Sequence, residues 1–466
     1  MHLKKRLIAV ATVCAMVATM IYGSTLKMTN SGDESGRLSW FGDKETIYFW
    51  YADDTVADYI SSAAVSFGEK EGVRVIPVYC EESQYLEAIN EASLYGDAIP
   101  DLYMISNDSL EKAYLAGLAT QIEDPNEICT TANFPRAAIS AVTYQGKLVA
   151  YPFFFETTAL IYNDTYFQEW ARQQAEKEIA SADQEDTENI GTEENSQLDE
   201  ALVAEKMAQY VANGIPNTVS EILTFADNFD VPETVECIME WDVSDVMYNY
   251  WIAGAYMDVG GDSGDNDANM NVYNEQVVAC MEMYQSLHQF FSIESDTTTY
   301  DSVVQDFVEG KTVFTIGTTD IIDKLADAKE DGTFAYEYGI VTMPAVSEEL
   351  ESRSLSITNA IAINGYSDSK ELANKFAEYL TREFVDNLYG QTRKTAAYWN
   401  TDEANGAIQV FRQEYDKSIA APKMMETGNF WMQMEVLFTK LWNGEDVNTL
   451  LQELSEQMNS QMGIAG

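Results

Sequence analysis

The chain has 466 residues, 46% of them hydrophobic, enough for two or more domains that each bury a core of their own. Against 27 basic residues stand 77 acidic ones, a formal net charge of −50. That surplus repels phosphate backbones and anionic headgroups, which excludes nucleic acid as a partner and disfavours an anionic ligand wherever basic residues are not locally concentrated.

In chain order, Lys4, Lys5 and Arg6 precede the uncharged run Leu7 to Tyr22. Positive charge ahead of an apolar run holds that end in the cytoplasm and exports the remainder of the chain. The run is longer than an ordinary signal core and shorter than a full span, and Tyr22-Gly23-Ser24 is a poor cleavage site. Residues 1–27 are therefore expected to be a signal peptide or a retained membrane anchor, which places the protein on the extracellular face of the cytoplasmic membrane. Residues 28–44, polar with Gly and Ser, read as a tether.

Thr46 to Tyr51 has the β-branched and aromatic content of a buried strand, Val56, Tyr59, Ile60, Ala63 and Phe67 share a helical face, and Val73 to Tyr79 is a second strand. This βαβ opening predicts a parallel sheet and an α/β fold. A helix from Gln84 to Tyr95 and a strand from Asp101 to Ser106 continue the alternation. The stretch Tyr151-Pro152-Phe153-Phe154-Phe155-Glu156-Thr157-Thr158-Ala159-Leu160-Ile161-Tyr162-Asn163 comes next. Aromatic faces bury apolar area with few rotatable bonds, and one carboxylate among them can accept hydrogen bonds from a hydroxyl-rich ligand. Such a segment suits the lining of a cleft, and equally a buried strand. Further on, Gly310 ends a helix ahead of the strand Thr312 to Ile316, Asp368 is expected to cap a helix carrying Leu372, Phe376 and Leu380, and Asp446 to cap the last one.

Cys80, Cys129, Cys237 and Cys280 are widely spaced, without a Cys-x-x-Cys, which speaks against zinc and fits lone thiols or one or two disulfides. His288 is the only histidine beyond the N-terminal segment, too few for a histidine-based catalytic cluster. Gly260 to Asn269 is rich in carboxylates, yet Met270 stands where a calcium loop needs glycine, so a surface turn is expected there and no metal or other cofactor is invoked.

From about Thr46 onward the chain resembles the extracellular solute-binding proteins of ABC importers, of the maltose-binding, carbohydrate-specific kind. The resemblance is carried by the opening strand ending in Trp50, the turn Gly96-x-x-x-Pro100-Asp101-Leu102, Phe155 to Asn163, Phe307 to Gly317, Tyr338 to Pro344, Ala360 to Ile363 and Phe430-Trp431. It implies a two-lobed α/β fold of the type II periplasmic-binding-protein kind, with hinge strands between the lobes. The N-terminal lobe would hold residues 45–156 and 342–385, and the C-terminal lobe 157–341 and 386–466. Two departures stand out. Residues 170–207 form an acidic insertion, expected to be a solvated helix or an irregular excursion. Ile105, Thr318 and Thr319 occupy places where maltose binders carry tryptophan, which speaks against a maltodextrin ligand.

The resemblance further implies the ligand contacts. Tyr51, Asp53 and Asp54 stand after the first strand, Asp108 seven residues past Asp101, Phe155 and Glu156 on the crossing strand, Trp241 and Asp242 in a strand-to-helix turn, Thr318 and Thr319 after a second-lobe strand, and Trp431 in the C-terminal lobe. The function implied is capture of a sugar or oligosaccharide by lobe closure, by a monomer that hands its solute to ABC permease subunits and is not an enzyme. A carbohydrate-sensing ectodomain is the alternative, and a glycoside hydrolase using paired carboxylates a weaker one.

Overall fold

Thr46–Tyr51 (β1) alternates half-exposed with buried side chains, turning Ile47, Phe49 and Tyr51 into a core. The structure, a computed structural model, describes residues 44–81, 85–96, 98–124, 126–190, 200–401 and 406–463, with the backbone alone over 183–190. The expected signal or anchor segment, residues 1–27, and all of the expected tether but Lys44 lie outside the described residues. Among the described residues no helix is long and apolar enough to cross a membrane.

After β1 come α1 (Ala57–Glu71), β2 (Arg74–Tyr79), α2 (Tyr85–Tyr95), β3 (Leu102–Ser106), α3 (Leu110–Leu115) and α4 (Arg136–Val142). The buried stripe of α1 is Tyr59, Ile60, Ala63 and Phe67, and Gly72 stops the helix at φ 73°, a left-handed turn that glycine takes without steric penalty. β1 runs parallel to β2, with Thr46 opposite Arg74, and parallel to β3, so the predicted βαβ unit is present. Next are β4 (Ala150–Thr157) and β5 (Ala159–Asn163), then α5 (Asp164–Ile190), α6 (Glu200–Asn213), α7 (Val219–Asn228), β6 (Cys237–Glu240), the single turn α8 (Val246–Asn249), α9 (Glu275–Leu287), α10 (Tyr300–Val308), β7 (Thr312–Gly317), α11 (Ile321–Glu330) and β8 (Tyr338–Val341). The chain ends with β9 (Leu355–Ile363), α12 (Lys370–Glu378), α13 (Leu388–Thr392), α14 (Gly406–Lys417), β10 (Ile419–Ala420), α15 (Phe430–Trp442) and α16 (Val447–Gln461).

These strands form two sheets, one in each lobe of a two-lobed α/β fold. The first runs β10-β9-β3-β1-β2, with β4 also paired to β9, and the second runs β8-β5-β7-β6. Thr158 alone separates β4 from β5, so the aromatic segment does cross from one sheet to the other. A second crossing leads from β8 into β9. A third passes from β10 to α15, which packs in the second core beside Trp241, Trp251 and Phe314. α13 packs on α1, and α14 packs on α4 and β4 and also against β8 and β5 of the second sheet.

Local expectations fared unevenly. Gly310 takes φ 75° behind α10, and a Cβ there would collide with the Tyr336 ring. The Asp446 carboxylate accepts from the Thr449 amide, capping α16 as expected. Asp368 makes no such cap: Ser369 precedes α12, its amide donates to the Ser367 hydroxyl, and that hydroxyl donates to Asp101. The described part of the acidic insertion folds as α5 packed against α6, with a small core of Ala175, Ile179 and Val203 flanked by Met207 and Tyr210. The Gly260–Asn269 loop is more than a surface turn. Asp265 accepts from the Gln145 amide, and the carbonyl of Ser263 joins those of Ser140 and Thr143 around the buried ammonium of Lys423. Cys80, Cys129, Cys237 and Cys280 are free thiols.

Candidate ligand-binding cleft

A cleft of about 620 Å³ opens where β4 leaves the first sheet. Its floor comes from strand ends: Ala52 to Asp54 after β1, Met104 to Ser106 of β3, Phe154 and Glu156 of β4, and Asn359 of β9. The register between β9 and β4 slips at Asn359, a bulge of the kind that re-aims side chains beside binding sites. Tyr79, Tyr85, Glu87 and Lys112 form one flank, and Lys394 another.

Strand parity decides which aromatics reach this space. Phe154 and Glu156 share one side of β4. Phe155 points the other way and lies flat on Tyr415 with ring centroids 4.0 Å apart and planes 5° from parallel, while Phe154 borders the cleft but is itself 1% exposed, as Phe155 is. Phe155 therefore serves the core, where a ligand contact was expected. Tyr51 is likewise buried at 7% exposure, between Phe49 and Tyr79, and only the residues after it reach the cleft.

Asp53 ends β1 by accepting from the amide and hydroxyl of Thr55, which aims its second carboxylate oxygen at Lys394, 3.2 Å away. Burial works to raise the Asp53 pKa, but Thr55 and the Lys394 ammonium prevail and hold it below the usual range. Lys394 also lies 3.9 Å from Glu156, whose carboxyl is pushed up by burial, with Asp320 and Asp53 adding to that and Lys394 opposing it. Asp320 is thus near enough to act on Glu156 although it follows β7 in the second sheet. Around it, Thr318 donates to Asp320 at 2.5 Å and Tyr300 at 2.7 Å, Lys324 pairs with it at 3.2 Å, and Tyr300 stacks on Tyr248 with centroids 4.7 Å apart. Thr318 and Thr319 are buried beside this group.

The remaining candidates are scattered. Asp54 lines the cleft, and Asp108 sits half-buried in the turn between the lining residues Ser106 and Ser109. Trp241 is fully buried in the second core, its indole N–H donating to Asn249 and its ring edge-on to Trp442, so it offers no face to solvent. Asp242 accepts from the amides of Ser244, Asp245 and Tyr300 and borders a separate hollow with Asp245 and Glu435. Trp431 stands half-exposed in the first turn of α15, edge-on to Phe430, outside the cleft lining. Sequence reading missed Lys394, Asn359, Tyr79 as the exposed lining aromatic, and the Tyr248–Tyr300–Asp320 group. The run Arg393-Lys394, basic in a chain so acidic, was the signal that could have pointed to the first of these.

Two sheets joined by crossing segments, with a ligand-sized hollow at the mouth of the first crossing, define the architecture of a solute-binding protein. The chain belongs to the bacterial extracellular solute-binding protein family, whose model matches residues 62–392. Among solved structures it is similar to an extracellular solute-binding protein from Staphylococcus aureus in complex with maltose, with a TM-score of 0.72 and 19% identity over 91% of this chain and 99% of that one. A cyclo/maltodextrin-binding protein complexed with maltotetraose gives 0.70 and 17% over the same shares, and a maltose-binding periplasmic protein from Listeria monocytogenes in complex with maltose gives 0.64 and 16%, again over 91% and 99%. No curated protein matches.

Proposed function

We propose that the protein is the extracellular substrate-binding component of an ABC importer and takes a sugar or oligosaccharide into this cleft. One observation carries the reading: the carboxylates of Asp53, Asp54 and Glu156 line the cleft at the point where the chain crosses between sheets. Carboxylates accept hydrogen bonds from hydroxyls and the exposed Tyr79 ring on the flank of the cleft can take a C–H face, which together suit a polyol ring. Maltose and maltotetraose in the structural neighbours are consistent with that chemistry.

Asp53, Asp54 and Glu156 are proposed as ligand contacts on the first lobe, with Asp108 at its rim and the Asp320 group and Trp431 approaching from the second lobe when the lobes close. The lobe bounds proposed are those of the sequence reading, with residues 386–420 moved to the first lobe because α13 packs on α1 and β10 pairs with β9. Binding without turnover is proposed, since the Lys394 ammonium lies against both carboxylates, where a glycosidase leaves room for the scissile bond. The protein acts as a monomer at the outer face of the cytoplasmic membrane, delivers its solute to permease subunits, and uses no cofactor. Calorimetric titration with neutral mono- and oligosaccharides tests the reading: saturable binding without product is expected, and product formation or indifference to every sugar would overturn it.

A further inference from the structure

The segment after α13 is built with unusual constraint. Arg393 takes φ 62°, in the left-handed region that non-glycine residues rarely enter, while its guanidinium donates to Asp323 at 2.8 Å. The Lys394 amide donates to the Thr392 hydroxyl, the Phe155 amide to the Thr395 carbonyl, and the Ala397 amide to the Phe153 carbonyl. Residues 394–397 are thereby laced to the edge of β4, and Ala396 pairs with Phe154 as an isolated bridge. This lacing fixes where the Lys394 side chain can go. Its ammonium sits 3.2 Å from Asp53, 3.9 Å from Glu156 and 5.5 Å over the Phe154 ring centroid, with a quarter of the side chain exposed and lining the cleft.

We infer that Lys394 determines the specificity of the cleft: its ammonium fills the seat between the two carboxylates, so the solute taken is uncharged and offers a hydroxyl oxygen as acceptor, while amine-bearing solutes are turned away. The inference rests on the sugar-binding reading and narrows it to neutral sugars. An ammonium has three donors, and two carboxylate neighbours leave one to reach a ligand oxygen. A carboxylate pair without the lysine would attract a cation instead, and with it an incoming amine meets like charge in the seat it needs. Methionine at 394 preserves most of the volume and removes the charge.

The test offers the exported protein and its Lys394→Met variant a mixture of maltooligosaccharides, cello-oligosaccharides and fully deacetylated chitosan oligosaccharides, and reads the bound masses by native mass spectrometry. Wild type should retain neutral members only. Lys394→Met should hold them about tenfold more weakly, equivalent to about 1.4 kcal/mol, and should begin to retain the amine-bearing ones. Equal retention of neutral sugars by both proteins, or retention of chitosan oligosaccharides by wild type, would overturn the inference and leave the sugar reading intact. Should no sugar bind either protein, the sugar reading fails, and the seat is then judged with propylammonium as the probe. Saturable thermal stabilisation of Lys394→Ala but not of wild type supports a cation seat between Asp53 and Glu156. No stabilisation of Lys394→Ala refutes it.

Discussion

Glu156 and Trp241 show how far residue type and residue position can part. Both were legible as candidates, a carboxylate among aromatics and a tryptophan beside an aspartate, and the structure puts one in a cleft and the other in a core. Parity along β4 turns Glu156 to the cleft and Phe155 to Tyr415, because side chains alternate across a strand and no composition argument fixes which face is inward. Replacing Glu156 by Gln should weaken sugar binding by about 1.5–3 kcal/mol, the worth of hydrogen bonds to a charged acceptor, as read by calorimetry. Stability should move the other way. The folded pKa of Glu156 lies above its ordinary value, so ionisation costs the fold stability once pH exceeds the unfolded pKa, and the cost vanishes in acid, where both states hold the proton. Glu156→Gln should accordingly melt higher than wild type at neutral pH, with the gap closing as pH falls; a lower melting temperature at neutral pH would show that the carboxylate is needed by the fold. Trp431→Ala should lose about 1–3 kcal/mol of affinity with little change in stability, whereas Trp241→Ala should destabilise the protein by about 3–5 kcal/mol in denaturant titrations, as large buried side chains do.

Elements with a strong local signature were readable, and those defined by partners far along the chain were not. β1, α1 and β2 are set by apolar periodicity and by Gly72, all within one short stretch. The Gly260–Asn269 loop looked like a solvated acidic turn because its partners, Ser140, Thr143, Gln145 and Lys423, are more than a hundred residues away in either direction. Lys423 is almost fully buried, with three carbonyls as acceptors, and methionine there would strand them. We expect Lys423→Met to cost about 2–4 kcal/mol in chemical unfolding, the penalty for unsatisfied buried polar groups, and an unchanged midpoint would mean the carbonyls find water instead. The helical pair α5 and α6 has its own small core apart from the main ones. Val203→Ala should therefore speed hydrogen exchange within that pair while the global unfolding midpoint stays put.

For the whole molecule, among the described residues the chain passes between the two sheets from β4 to β5 and from β8 to β9, and leaves the first sheet once more from β10 to α15 in the second core. Sugar binding should draw the lobes together about these crossings, bringing the Asp320 group toward Glu156. Small-angle scattering should record a smaller radius of gyration with a saturating neutral sugar, and an identical radius would reject closure as the mechanism.

What the sequence determined by itself was the alternation of strands and helices, the crossing segment Tyr151–Asn163 and the carboxylates Asp53, Asp54 and Glu156 that line the cleft, since each depends on side-chain chemistry within a few residues of chain. The tertiary structure alone decided that Phe155 and Trp241 belong to cores, that the Gly260–Asn269 loop is fastened by Lys423, and that a lysine from behind α13 sits between Asp53 and Glu156. These arise from contacts between segments distant in sequence, and hydrophobic periodicity carries no information about which distant segments meet.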